Sequence, residues 1–233
     1  MIWDQGIRGS NPLAPTNKEG EEMILIKPSF KIEGYFSDAQ DLELTGRVCY
    51  KSEDKITATS AKTFIEARLG KHESVIEHSL LKVRFICDRG VTHELVRHRL
   101  AAFSQESTRY CNYKGGVTFI IPPWVDMQEG EYSFLTSNEP NRPVWVWYKA
   151  MLEAERNYQD LLEDNWSPQQ ARSVLPNSLK TEIVMTANFR EWRHIFKLRC
   201  DKTAHPQMRE LMIPLLKEVK QLIPVIFDDL EVN

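Results

Sequence analysis

The sequence predicts an α+β fold, a twisted and largely antiparallel sheet flanked by helices within one domain. Three observations lead there. Strand-like and helix-like stretches do not alternate regularly, as they would in a doubly wound parallel sheet. The clearest strand candidate sets Leu81, Val83 and Phe85 against Lys82 and Arg84, the period-two pattern of a sheet with one wet face. The helix candidates each carry a single apolar stripe, so they cover a layer rather than sit inside one.

The elements follow in order. Residues 1–22 are rich in Gly, Pro, Asn and Glu and read as a mobile arm, which leaves 23–233 as the folded domain, ample length for a core. Met23-Ile-Leu-Ile26 is the first strand. Ala61, Phe64, Ile65 and Leu69 put a helix over 60–70, and Leu81–Phe85 is a strand ending near Asp88-Arg-Gly90. A helix through 91–100 follows, then a strand at Val117–Ile121 stopped by Pro122-Pro123. The longest helix spans 144–164, with Tyr148, Met151, Tyr158, Leu161 and Leu162 on its stripe. Ser167-Pro168-Gln169-Gln170 reads as a capping box opening a short helix that carries Arg172. A strand over 179–188 precedes helices at about 190–200 and 206–221, the second striped by Met208, Leu211, Met212, Leu215, Leu216 and Val219.

Composition narrows the function classes. The net charge of −3 argues against a general nucleic-acid binder, so any polyanion site must be a local cluster. Cys49, Cys87, Cys111 and Cys200 show no paired spacing and read as free thiols in a reducing compartment. The start Met1-Ile-Trp-Asp-Gln lacks a basic region and apolar run, and no stretch approaches the ~20 apolar residues of a membrane helix. A cytoplasmic protein with no membrane partner is expected.

The densest chemistry lies in Arg97-His98-Arg99-Leu-Ala-Ala-Phe-Ser-Gln105-Glu106-Ser107-Thr108-Arg109-Tyr110. Guanidinium forks at this density bind oxyanions in pairs. On a helix Arg97 and Arg99 stand ~200° apart, so one small ligand on one face cannot engage both. Either they serve different ligands, or the helix ends between surfaces of different subunits. The bland alternative is a solvated basic helix end, where arginine suits the negative pole. Arg199 follows Trp192, Ile195 and Phe196 on one face. A cation there needs a partner, either a core carboxylate in a structural ion pair or negative charge on a ligand in a cleft.

Two His/Glu groups invite a metal reading and fail it. His72 and His78 are six residues apart and His93 and His98 five, whereas a zinc pair on one helix face needs four, so no metal is expected. Neither a P-loop nor a Rossmann glycine fingerprint occurs, and no Gly-x-Ser-x-Gly elbow. A bound dinucleotide would have its diphosphate met by arginines.

The Arg97–Tyr110 segment closely resembles the signature of the flavin-dependent thymidylate synthases: Arg-His-Arg, seven residues, Ser, one residue, Arg. Further matches run in order from Arg47-Val-Cys-Tyr50 through His72–His78, Ala171-Arg-Ser-Val-Leu-Pro176 and Asn188 to Leu198-Arg199, nearly everything after residue 23. The resemblance implies that Ser74, Arg97, His98, Arg99, Asn188 and His194 contact FAD, with Phe189 and Arg190 adjoining. It places Glu94, Arg97, Gln105, Glu106, Ser107, Thr108, Arg109, Arg172 and Arg199 at dUMP, Ser107 and Arg109 at its phosphate, and Gln105 beside both ligands. Arg199 would polarise the uracil ring as the catalytic cation.

The resemblance further implies reductive methylation of dUMP to dTMP, without a cysteine nucleophile. FAD reduced by NADPH would carry the hydride, and methylenetetrahydrofolate would donate the carbon. It implies a homotetramer whose sites combine several subunits. The chain departs from the family pattern at Glu94 (Gln in some relatives), Gln105 (Glu in some), His194 (an amide) and Thr203 (a histidine). Two other readings compete: a binder of RNA or single-stranded DNA through Phe103, Tyr110 and Tyr113 beside the arginines, and a flavin reductase or other nucleotide-modifying enzyme on the same scaffold.

Overall fold

Two nine-residue strands, paired antiparallel along their whole length, organise the molecule. The computed structural model describes residues 23–36, 39–132 and 141–232. The arm expected over 1–22 lies outside the described residues. In chain order the elements are β1 (Met23–Ile26), β2 (Ser29–Phe36), α1 (Ala39–Val48), α2 (Ser60–Glu66), β3 (Leu80–Asp88), α3 (Arg89–Leu95), β4 (Ala101–Gln105), β5 (Thr118–Ile120), β6 (Gly130–Tyr132), α4 (Arg142–Glu163), α5 (Pro168–Ala171), β7 (Lys180–Asn188), α6 (Phe189–Arg199), α7 (Pro206–Leu222) and α8 (Pro224–Phe227). Short 3-10 turns occupy Glu73–His78 and Arg172–Val174.

The main sheet has the order β2-β3-β7-β4 with every pair antiparallel. β3 and β7 are its centre, registered from Leu80 opposite Asn188 to Asp88 opposite Lys180. Their inner residues Leu81, Val83, Phe85, Ile183 and Met185 are fully buried. Their outer residues carry charge instead: Arg84 bridges Glu33 of β2 and Glu182 of β7, and Lys82 also pairs with Glu33. The alternation read from Leu81–Phe85 is therefore one face under helices and one face open to water.

α6 and α7 cover the inner face. The stripe on α7 is fully buried at Met208, Met212, Leu215 and Val219. Trp192 of α6 is the keystone: its indole N–H donates to the Leu81 carbonyl (2.9 Å) and its rings pack on Phe85 and Phe196. Gly46 lets α1 close on the 73–78 turn, since a Cβ there would stand 2.6 Å from Val75 Cγ2.

A smaller sheet, β5-β1-β6, joins β1 to β5 in parallel and to β6 antiparallel. α4 packs on it through Val144, Tyr148, Met151 and Tyr158. Glu155, buried on the same helix, accepts the Val117 N–H (2.9 Å). The capping expected at Ser167 is present: Gln170 Oε1 accepts the Ser167 N–H (2.9 Å).

Three expectations need correction. The helix through 91–100 stops at Leu95, because β4 leaves it to form the edge ladder with β7, from Ala101 opposite Ala187 to Gln105 opposite Ile183. The helix over 60–70 ends at Glu66, and Leu69 packs beyond it. Arg172 lies just past α5, opening a 3-10 turn. Strands β2, β4 and β6 and helix α1 carried no expectation.

Replacing Trp192 by Ala should cost about 3–5 kcal/mol of unfolding free energy, since it empties a ring-sized volume and removes the indole bond to the Leu81 carbonyl. Urea denaturation checks it; a loss under about 1 kcal/mol would mean that the site collapses freely.

Candidate active site

The pairing of β3 with β7 decides where the chemistry sits. Each strand runs straight into a helix whose N-cap is its own last residue. Asp88 Oδ1 accepts the Val91 N–H (2.8 Å), and Asn188 Oδ1 accepts the Glu191 N–H (2.9 Å), satisfying first-turn donors. Because the strands are antiparallel, α3 and α6 start at opposite ends of the sheet and their last turns meet. There Arg199 Nη1 donates to Glu94 Oε2 (2.6 Å) and Nη2 to the Glu94 carbonyl (3.2 Å), so a cation meets the negative end of α3. Arg199 Nε donates to His98 Nε2 (3.0 Å).

His98 is buried, and that burial, followed by Arg199 and His194, pushes its pKa down from 6.5 to about 4. The imidazole is therefore neutral near pH 7. Since Nε2 accepts from a guanidinium that never loses its proton, the single ring proton must sit on Nδ1. Nδ1 lies 3.4 Å from Glu191 Oε1. His194, on the exposed side of α6, stands edge-on to His98 with centroids 6.0 Å apart.

A second group lies where β4 runs out. Gln105 Nε2 donates to Thr92 Oγ1 (3.1 Å) and Thr181 Oγ1 (3.2 Å), which tie its amide to α3 and β7. Glu106 is gripped on both oxygens: Tyr113 OH donates to Oε1 (2.7 Å) and Lys180 Nζ to Oε2 (2.9 Å). Burial and Glu106 push the Tyr113 phenol well above its ordinary pKa, so it remains a donor. Arg172 Nη1 donates to Thr108 Oγ1 (3.0 Å). A cleft of about 560 Å³ opens on this side, lined by Arg84, Ser104, Gln105, Glu106, Lys180 and Glu182 among others.

Most of the expected site residues thus fall into three groups. Glu94, His98, Arg199 and His194 come together, and so do Gln105, Glu106, Thr108 and Arg172. Arg97, Arg99 and Arg109 are exposed: Arg97 bonds its own turn at the His93 carbonyl (3.2 Å), and Arg109 lies over the Tyr110 ring (5.3 Å). Ser107 Oγ sits 3.3 Å from the Arg109 N–H. Ser74 is exposed on the 73–78 turn, which α6 holds through Arg190–Glu77 (2.5 Å) and Arg193–Glu73 (3.3 Å). Asn188 spends its side chain on the cap, and Phe189 is wholly buried against Phe227, so its ring faces the core.

Reading the sequence missed Glu191 and Lys180, and named Tyr113 only as a base-stacking ring. Glu191 resembles an ordinary helix-start acid, and only its burial marks it out. Tyr113 and Lys180 join Glu106 through the meeting of β4, β7 and the following loop, which no spacing announces. Of the four thiols, Cys87 and Cys200 are buried, and burial raises the pKa of both, that of Cys200 to about 11.

Comparison with known proteins follows the same residues. A family model described as thymidylate synthase complementing protein matches residues 32–225. A flavin-dependent thymidylate synthase from Corynebacterium efficiens is 36% identical over 203 residues, covering 82% of this chain and 79% of that protein. One from Geobacter sulfurreducens is 33% identical over 195 residues, covering 80% and 79%. Among solved structures, thymidylate synthase X from Helicobacter pylori, crystallised with FAD and dUMP, superposes with a TM-score of 0.69 at 23% identity, over 87% of this chain and 98% of that one. A UMP/dUMP methylase from Streptomyces cacaoi bound with 5-Br dUMP gives 0.71 at 22% identity, over 88% and 95%. These two likenesses establish the fold.

The depressed pKa of His98 has a stability consequence of fixed sign. The unfolded chain takes up this proton near pH 6.5 and the folded chain only near 4, so stability falls as pH drops through that window. The wild type should lose about 2 kcal/mol more between about pH 7 and pH 5 than His98→Gln does. Chemical denaturation at the two pH values measures the difference; equal losses would mean that His98 is not held neutral.

Proposed function

The chain belongs to the flavin-dependent thymidylate synthase (thymidylate synthase complementing protein) family, and we propose that it methylates dUMP to dTMP with methylenetetrahydrofolate as carbon donor and FAD, reduced by NADPH, as hydride carrier. The observation that carries the reading is the convergence of Arg199, His98 and Glu94 from two helices whose ends are forced together. Three of the five N–H groups of Arg199 are bonded within this cluster, which leaves two for a ligand.

The residues suit the two ligands differently. The exposed guanidinium groups of Arg97 and Arg99 and the hydroxyl of Ser74 have the chemistry to meet a flavin diphosphate, which no glycine-rich loop of this chain provides. Arg190 and His194 stand on the neighbouring outer face of α6. Ser107, Arg109 and Arg172 have the chemistry for the phosphate of dUMP. Gln105 and Glu106, oriented by Thr92, Thr181, Tyr113 and Lys180, offer an amide and a carboxylate to the base.

Uracil must become nucleophilic at its 5-carbon. Arg199, fixed before the substrate arrives, can stabilise the enolate-like charge that develops on the ring oxygens, an effect typically worth ~3–4 kcal/mol per donor. When bound, FAD supplies the hydride that turns the transferred methylene into methyl. No thiol adduct enters this reading, and two of the four thiols, Cys87 and Cys200, are buried with raised pKa values. Arg97 and Arg99 are exposed and stand outside the Arg199–Glu94–His98 cluster, which suits a homotetramer whose sites take these arginines from a neighbouring copy. In this reading residues 23–233 form the catalytic domain, 1–22 an appended arm, and the enzyme works in the cytoplasm.

The purified protein should be yellow and should form dTMP from dUMP. Arg199→Ala should retain FAD by absorption spectroscopy and lose at least about 100-fold in dTMP formation. Colourless protein that takes up no added FAD would refute the flavin assignment, and full turnover by the variant would refute the role of Arg199.

A further inference from the structure

One buried carboxylate has no part in the reading above. Glu191 is 8% exposed, and its Oε1 lies 3.4 Å from His98 Nδ1. An acid placed in the first turn of a helix only for the dipole belongs in water, where its charge is solvated at no cost. Glu191 instead carries its charge inward and points it at the ring whose other nitrogen holds Arg199.

From this geometry we propose that Glu191 is a positioning residue for Arg199, acting through the tautomer of His98; the proposal rests on reading Arg199 as the cation beside the uracil ring. Donor and acceptor counts decide the tautomer. A neutral imidazole has one N–H and one bare nitrogen. Arg199 Nε–H can bond His98 only if Nε2 is the bare one. Glu191 makes that state the favoured one, because an acceptor beside Nδ1 stabilises the proton there. Without it the proton can move to Nε2, where two N–H groups would face each other, and Arg199 would turn away from its set position. Asn188, by capping α6 at the Glu191 N–H, fixes the backbone from which the carboxylate reaches. No proton is transferred in this scheme; Glu191 and His98 hold one in place.

The test compares Glu191→Gln with Glu191→Ala in the FAD-loaded full chain. Glutamine keeps an acceptor oxygen beside Nδ1 and removes only the charge, so its kcat should stay within about threefold of wild type. Alanine should lower kcat by about 10–100-fold with the KM for dUMP changed less than about twofold, as expected when a group bound in the transition state is misplaced. Nitrogen-15 NMR of the imidazole, which needs no turnover, should place the His98 proton on Nδ1 in wild type and Gln, and on Nε2 in Ala. If Ala does not fold, Glu191→Met removes the acceptor with the length and burial kept.

Wild-type kcat in the Ala or Met variant overturns the proposal, as does equal loss in Gln and Ala, or a wild-type His98 protonated on Nε2. A lower melting temperature with unchanged kcat also overturns it, since that marks a purely structural carboxylate. If the wild type makes no dTMP, or Arg199→Ala turns over normally, the reading of Arg199 fails instead, and the nitrogen measurement still decides whether Glu191 sets the tautomer.

Discussion

The full-length antiparallel pairing of β3 with β7 is the constraint on which the site depends. It starts α3 and α6 at opposite ends of the sheet, each capped by the last residue of its strand, and so brings their final turns together. Neither helix alone could place a cation, a neutral imidazole and a carboxylate within hydrogen-bond reach. Arg199 is fixed at three points, two of them on Glu94, and that fixation is what a preorganised electrostatic site requires. A slip of one residue in the pairing would turn every second side chain to the wrong face and separate these groups.

Arg193 and Glu43 show how charge is placed inside this protein with partners. Arg193, 2% exposed, would be costly alone; it forks onto Asp229 (2.5 and 2.6 Å), reaches Glu73 and bonds the Ile226 carbonyl. Through it α6 ties the C-terminal segment to the turn carrying Ser74. One helix therefore serves both proposed ligands: its buried face anchors the 73–78 turn, and its last residue reaches the candidate uracil site. Glu43 follows the same rule, fully buried yet bonded by Arg47 and Ser60, which hold its carboxyl below the usual range against the cost of burial.

Much of the fold was legible because its signals are local. The stripe on α7, the capping box at Ser167 and the alternation in β3 need no knowledge of the rest of the chain. β4 was hidden because Leu100-Ala-Ala-Phe103 has neither period, and its strand character comes only from the ladder with β7. In the second sheet the strands at 23–26 and 117–121 were legible, while β6, three residues long, carries no pattern and the pairing of all three comes only from the fold. At the site, the arginines, His98 and the Gln105–Arg109 run were named from sequence because their density and order are unusual. The partners that orient them, Thr92, Thr181, Tyr113, Lys180 and Glu191, are ordinary residues made important by tertiary contact. Arg199 shows the boundary: periodicity set it on the buried side and demanded a partner, while only the fold reveals Glu94 and His98 as those partners.

A crystal structure of the protein with FAD and dUMP bound tests the central claim most directly. The account predicts the Arg199 guanidinium at hydrogen-bond distance, about 3 Å, from a uracil ring oxygen, with its Nε still on His98. A uracil ring bound elsewhere, with Arg199 still committed to Glu94 and turned from the base, would contradict it.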